Sequence, residues 1–233
     1  MPKRAQSDLL HPTALTVAIN LGNSVLARLD DKGQPDGITV QLARKIADQL
    51  GVSAHFITYP TAGKVVDDAD KHRWDMAFLA IDPKRQTVLS FTEPYLSIEG
   101  TLLVNAASPW QSVKQMDRPD VVINVGKGAA YDLYLSRTLT QATLNRLPSS
   151  QQAISAFLQG EGDMAAGVRQ PLAQAAKNHP QFRVLKDSFT QINQAICVPN
   201  AKMALHAYLC TQIKQWQQDG TITAIVAADR PDT

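Results

Sequence analysis

The chain reads as an α/β protein with partly parallel sheets, and three observations carry that reading. Strand-like and helix-like segments alternate along it, the pattern that lays helices over parallel strands. Met76-Ala77-Phe78-Leu79-Ala80-Ile81 is a short continuous apolar run, as a strand buried on both faces requires. A strand-turn-helix unit stands in the second half: Val121-Val122-Ile123-Asn124-Val125, then Gly126-Lys127-Gly128, then a helix carrying Tyr131, Leu133, Tyr134 and Leu135.

Leu15-Thr16-Val17-Ala18-Ile19 is the first strand, and residues 30–37 form a polar turn region. In the helix that follows, Leu42, Ala43, Ile46, Ala47 and Leu50 recur on one face. Gly51 stands just past its end, where a left-handed cap is wanted. Ser53–Tyr59 alternates as a strand does. After the apolar run, Asp82-Pro83 has the form of a helix start, with a capping carboxylate and proline at the first helical position. Residues 101–104 form a strand and 105–109 a loop. Ser149 and Gln152 have capping-box spacing ahead of Ala153, Ile154, Phe157 and Leu158. Residues 195–199 are strand-like. The last long helix carries Leu205, Leu209, Ile213 and Trp216 on its apolar stripe and stops at Asp219-Gly220.

Composition excludes several classes of function. With 23 Lys and Arg against 21 Asp and Glu, the net charge is +2, which gives nucleic acid no electrostatic hold. No apolar run approaches the ~20 residues needed to cross a bilayer. The basic N-terminus is followed only by Leu9-Leu10-His11-Pro12, too short for a signal-peptide core. That leaves either a leader outside this sequence or a protein of the cytosol. Cys197 and Cys210 make no CxxC, and the five histidines are scattered, so no metal and no cofactor are expected. The two cysteines leave a disulfide open, with two buried free thiols as the reading taken. There is no GxSxG, no P-loop and no complete GxGxxG, and no catalytic residue is assigned.

Five stretches, in order, carry a resemblance. Gly37-Ile38-Thr39-Val40-Gln41-Leu42-Ala43-Arg44-Lys45-Ile46-Ala47 is similar to G-F-D-V-D-L-A-x-x-I-A. Asp82-Pro83-Lys84-Arg85 and Leu89-Ser90-Phe91-Thr92-Glu93-Pro94-Tyr95 are similar to T-P-E-R and V-D-F-S-x-P-Y. Val125-Gly126-Lys127-Gly128-Ala129 resembles V-x-x-G-T, and residues 157–167 resemble L-x-x-G-x-x-D-A-V-V-G. Asp219-Gly220-Thr221-Ile222 fits a closing D-G-T-L. From about Leu15 to about Ile225, the chain thus resembles the polar-amino-acid-binding proteins of ABC importers, solute-binding protein family 3.

That resemblance implies a two-lobed, type II periplasmic-binding-protein fold with two hinge crossovers. Lobe 1 would take residues 1–103 and 197–233, and lobe 2 residues 104–196. It implies no catalysis, a monomer, and two lobes closing on a small anionic or zwitterionic ligand that is passed to an ABC permease of the membrane. It places the protein in the periplasm.

The resemblance also assigns ligand contacts. Arg85 matches the arginine that grips the ligand's carboxylate, a task suited to the planar guanidinium fork; a surface arginine is the other reading. Lys127, Gly128, Ala129 and Ala130 form the turn before a helix, where backbone N–H groups and the positive helix end favour an anion. Ala129 replaces the usual threonine. Val168 stands where the amino-acid binders carry the aspartate that pairs with the ligand's ammonium, and Arg169 follows it. A buried ammonium without a carboxylate is costly, so a standard α-amino acid is not the expected ligand. In place of the usual aromatic after the first strand, Asn23 and Ser24 offer polar contacts. Phe78 and Ala80 stand where small and hydroxylated residues are usual, Phe78 as an apolar wall or as core. Glu99 takes the place of a common glycine, as a partner for a cation, for the hinge or for Arg85. The alternative functions are an enzyme resembling the cyclohexadienyl dehydratases, which would need Glu99 as general acid, and a cytosolic ligand sensor.

Overall fold

The structure, a computed structural model, describes residues 2–229. It begins with a short helix α1 (Pro2–Gln6), then β1 (Ala14–Asn20), a small hairpin of β2 (Arg28–Leu29) and β3 (Pro35–Asp36), and α2 (Ile38–Leu50). Next come β4 (Ser53–Tyr59), α3 (Ala62–Val66), β5 (Met76–Ala80), β6 (Leu89–Phe91) and β7 (Leu96–Asn105). The middle of the chain holds β8 (Val122–Gly126), α4 (Ala130–Thr138), β9 (Thr143–Leu147), α5 (Ser150–Leu158), β10 (Met164–Val168), α6 (Arg169–Asn178) and β11 (Phe182–Val184). It closes with β12 (Thr190–Pro199), α7 (Met203–Gln218) and α8 (Thr221–Asp229). The chain forms two compact units: unit 1 runs to Leu96 and resumes at Asn193, and unit 2 runs from Ser97 to Ile192.

In unit 1, β4, β1 and β5 are parallel neighbours, and β12 runs antiparallel to β5 with Gln194 opposite Ala80. Helix α2 covers this sheet because its apolar residues fall on one face: Ile38, Val40, Leu42, Ala43, Ile46, Ala47 and Leu50 are all buried. Gly51 ends it with φ 69°, and its N–H returns to Ala47 O and Asp48 O. A side chain there would strain that left-handed turn. The stripe predicted on α7 is the buried one, with Leu205, Leu209, Ile213 and Trp216 at 1% exposure or less.

Two acids tie the N-terminal segment to this core. Asp75, fully buried, accepts from Leu10 N (2.8 Å), Thr16 N (2.8 Å) and Lys202 Nζ (2.9 Å). Asp8 Oδ2 accepts from Ala204 N and Leu205 N at 2.8 and 2.9 Å. It thereby caps α7, whose own N-cap residue Lys202 makes no side-chain cap.

Unit 2 has the same strand logic. Strands β9, β8 and β10 are parallel, β7 runs antiparallel to β10, and β11 runs antiparallel to β7. Ser149 caps α5 by accepting from Gln152 N. Leu103, Ile154, Phe157, Ala165 and Leu172 form its core, with Phe182 packed on Phe157.

One expected element is corrected. The helix expected to begin at Asp82-Pro83 is a single turn, of which Arg85–Thr87 is 3₁₀. Asp82 Oδ1 does accept from Lys84 N (2.9 Å), and Gln86 N returns to Asp82 O (3.0 Å). Val88 then leaves helical geometry at φ −125°, and Leu89 pairs with Pro199 of β12. Pairing with β12 overrides helix continuation. Cys197 and Cys210 are both free thiols, the second half-buried rather than buried.

Candidate functional site

In open α/β sheets, ligands bind outside the carboxyl ends of the parallel strands. In unit 1 those ends are Tyr59 of β4, Asn20 of β1 and Ala80 of β5, and the segments that follow the last two hold Asn23, Ser24 and Arg85. Asn23 is half-buried, and its Oδ1 accepts from Val25 N; Ser24 is exposed. Phe78 lies two residues back inside β5, at 2% exposure, with its ring edge-to-face on Tyr95 at 5.8 Å. It is a core residue.

Arg85 is 3% exposed, and its Nη1 donates to Ala80 O at 3.0 Å. The turn that begins at Asp82 folds this guanidinium back onto the end of β5. Burial pushes its pKa down, and the neighbouring negative charge of Asp82 pulls it back up. Asp82 is equally buried at 3%. This buried acid beside the arginine was read from sequence only as a helix cap. Cys197, on β12, keeps its proton: burial pushes the thiol up to about 12, although Arg85 pulls the other way.

In unit 2 the corresponding ends are Leu147 of β9, Gly126 of β8 and Val168 of β10. Lys127 is exposed, and Gly128, Ala129 and Ala130 are half-buried. Three amides of this turn have internal acceptors: Lys127 N donates to Leu147 O (2.8 Å), Gly128 N to Asp132 Oδ2 (2.8 Å) and Ala129 N to Gly126 O (3.1 Å). The donors that a helix start leaves outside its own bonding therefore belong to Ala130, the last residue of the turn, and to the residues just after it. Asp132, buried in the first turn of α4, also accepts from Arg146 Nε at 2.9 Å. Its signal was an acid four residues after Gly128, the placement that the helix dipole favours.

Val168 is half-buried and lies opposite Gly100 in the β10–β7 ladder. One step beyond that register, Arg169 Nε donates to Glu99 Oε2 in an ion pair. Arg169 also donates to Leu185 O (2.9 Å), Lys186 O (3.0 Å) and Asp187 O (3.1 Å). The pair ties β7, α6 and the segment after β11 together, and each charge offsets the other. Arg85, Asp82, Ala80, Asn23 and Ser24 thus lie at the carboxyl edge of unit 1. The edge of unit 2 holds residues 127–130, Val168, Arg169 and Glu99. Among the described residues no group of three or more His, Cys, Asp or Glu is placed to hold a metal ion, and no helix is long and apolar enough to cross a membrane.

Residues 15–228 match the family model of the bacterial extracellular solute-binding proteins, family 3. The chain is 26% identical to the amino-acid-binding protein AabA of Dichelobacter nodosus, over 84% of this chain and 80% of that protein. It is 23% identical to the ABC transporter glutamine-binding protein GlnH of Bacillus subtilis, over 81% of this chain and 70% of that one. Among solved structures it is similar to the ancestral amino acid-binding protein AncCDT-1, a precursor of cyclohexadienyl dehydratase. The TM-score there is 0.81 at 21% identity, covering 96% of this chain and 98% of the other. Likenesses of this order carry the type II periplasmic-binding-protein fold.

Proposed function

The chain belongs to the bacterial extracellular solute-binding proteins, family 3, and we propose that within it this member binds a small carboxylate-bearing organic acid for an ABC permease. The observation that carries the proposal is Arg85: a buried guanidinium at the carboxyl edge of the unit 1 sheet. The planar guanidinium fork suits a carboxylate, to which it can donate two parallel N–H···O bonds. In unit 2 the start of α4 offers donors to the same ligand. The two units exchange the open for the closed arrangement as the ligand engages both, and the protein works as a periplasmic monomer.

The ligand is not a standard α-amino acid. Val168 offers no charge to an ammonium group, and Glu99 is engaged with Arg169. The same ion pair weighs against the enzymatic alternative, because Glu99 was the only acid that reading could name. A thermal-shift screen of organic acids, with amino acids as the comparison set, tests the reading. An acid at a hundred times its dissociation constant stabilises by about 2.7 kcal/mol. Stabilisation by amino acids alone would overturn it.

A further inference from the structure

A carboxylate grip leaves the rest of the ligand unspecified, and unit 2 carries a feature that bears on it. Tyr134, one turn into α4, stacks on Phe189 with ring centroids 5.9 Å apart and planes 23° from parallel. Both residues are half-buried. Backbone contacts fix where the pair stands. Phe189 N donates to Gly100 O at 2.9 Å, and a Cβ added at Gly100 would lie 3.1 Å from the Phe189 ring. Position 100 lacks a side chain because the ring, with Thr190, occupies that space. Gly100 is the ladder partner of Val168 and the neighbour of Glu99. Tyr134 lies four residues beyond Ala130 on the same helix. The aromatic pair therefore stands beside the Gly100–Val168 rung, at the carboxyl end of β10.

In unit 1, the stretch after β1 (Leu21, Gly22, Asn23, Ser24) has no aromatic residue, and Phe78 is committed to the core. In unit 2 the Tyr134–Phe189 pair offers a stacking surface. Its charge environment selects among flat groups. Tyr and Phe faces attract cations as well as aromatic rings, but Glu99, the carboxylate next to Gly100, is already neutralised by Arg169. Val168 is apolar. The carboxylates near the pair are already engaged, Asp132 by Gly128 N and Arg146 Nε and Asp187 by Ser112 Oγ and Val113 N, so a cationic group would compete for them, whereas an uncharged ring needs none.

We propose that Tyr134 and Phe189 form an aromatic wall of the ligand site and that the bound acid carries a flat aromatic ring. The proposal rests on the reading that these strand ends hold a carboxylate ligand. Phenylacetate and cyclohexylacetate have the same charge and nearly the same apolar area, but only one has π faces. 3-Phenylpropanoate and 3-cyclohexylpropanoate make a second such pair.

Calorimetric titration of both pairs into the full chain should favour the aromatic acid about two- to tenfold, the range of aromatic pairing energies. Tyr134→Leu and Phe189→Leu keep apolar volume and remove the faces. Together they should make the aromatic and cyclohexyl acids of each pair bind alike, erasing the preference. Tyr134→Leu alone should halve it or more, and because Tyr134 supports no strand, that variant carries the test if the double variant unfolds. A preference that is absent from the parent, or that survives in Tyr134→Leu, overturns the wall. Loss of all acid binding in Arg85→Ala with the wall variants behaving as stated supports both readings. If Arg85→Ala binds normally while the preference still depends on Tyr134, the wall stands and the arginine grip falls.

Discussion

Asp82 and Arg85 are three residues apart, and both are almost fully buried. The acid performs two jobs: its Oδ1 holds Lys84 N, and its charge offsets that of Arg85. On the proposed reading, a ligand carboxylate at Arg85 would meet this second carboxylate, and like charges sharing a site raise the cost of binding. Asp82→Asn keeps an oxygen for Lys84 N and removes the charge. It should tighten acid binding about tenfold, equivalent to 1.4 kcal/mol, in a calorimetric titration. Unchanged or weaker binding would mean that Asp82 serves to orient Arg85 rather than to compete with its ligand. Sequence gave the motif position of Arg85 but not this pairing, because an aspartate before a proline is already explained by capping. The Glu99–Arg169 bond was hidden for a different reason. It needs the β7–β10 register, and with it the pairing is direct: Val168 faces Gly100, so Arg169 faces Glu99.

Elements with strong periodicity or clear caps were legible. Helix α2 with Gly51, the stripe of α7, and the Ser149 cap of α5 all follow from local spacing. The segment at Asp82 was not, since partnership with β12 ended its helix after one turn. The start of α7 was also illegible, because its cap comes from Asp8, almost two hundred residues earlier in the chain. Long-range caps leave no local signal. The same N-terminal segment is held by Asp75, whose partner Lys202 has a side chain only 9% exposed. Removing one member of a buried pair leaves the other charge uncompensated. Asp75→Asn should therefore cost about 3–5 kcal/mol in urea unfolding, as a lowered midpoint with an unchanged slope. A loss under about 1 kcal/mol would show that water reaches Lys202 and that the network adds little.

At the scale of the whole molecule, the ordered motifs from Gly37 to Ile222 led to an α/β, type II binding-protein fold, and the structure has that fold, with parallel strands in each unit and an antiparallel strand beside them. Motif order was sufficient because the glycines, caps and apolar runs that define it are the ones that shape the strand ends. Those ends collect Arg85 in unit 1 and the start of α4 in unit 2, so family membership and local chemistry lead to one central claim, that an acid is held by its carboxylate. The most direct test is calorimetric titration of the tightest acid from the screen, and of its neutral amide, into the parent and into Arg85→Ala. The account predicts that the variant loses about 2–5 kcal/mol of binding and that the amide binds the parent far more weakly than the acid does. An Arg85→Ala protein that binds the acid as tightly as the parent, or an amide that binds as well as the acid, would contradict it.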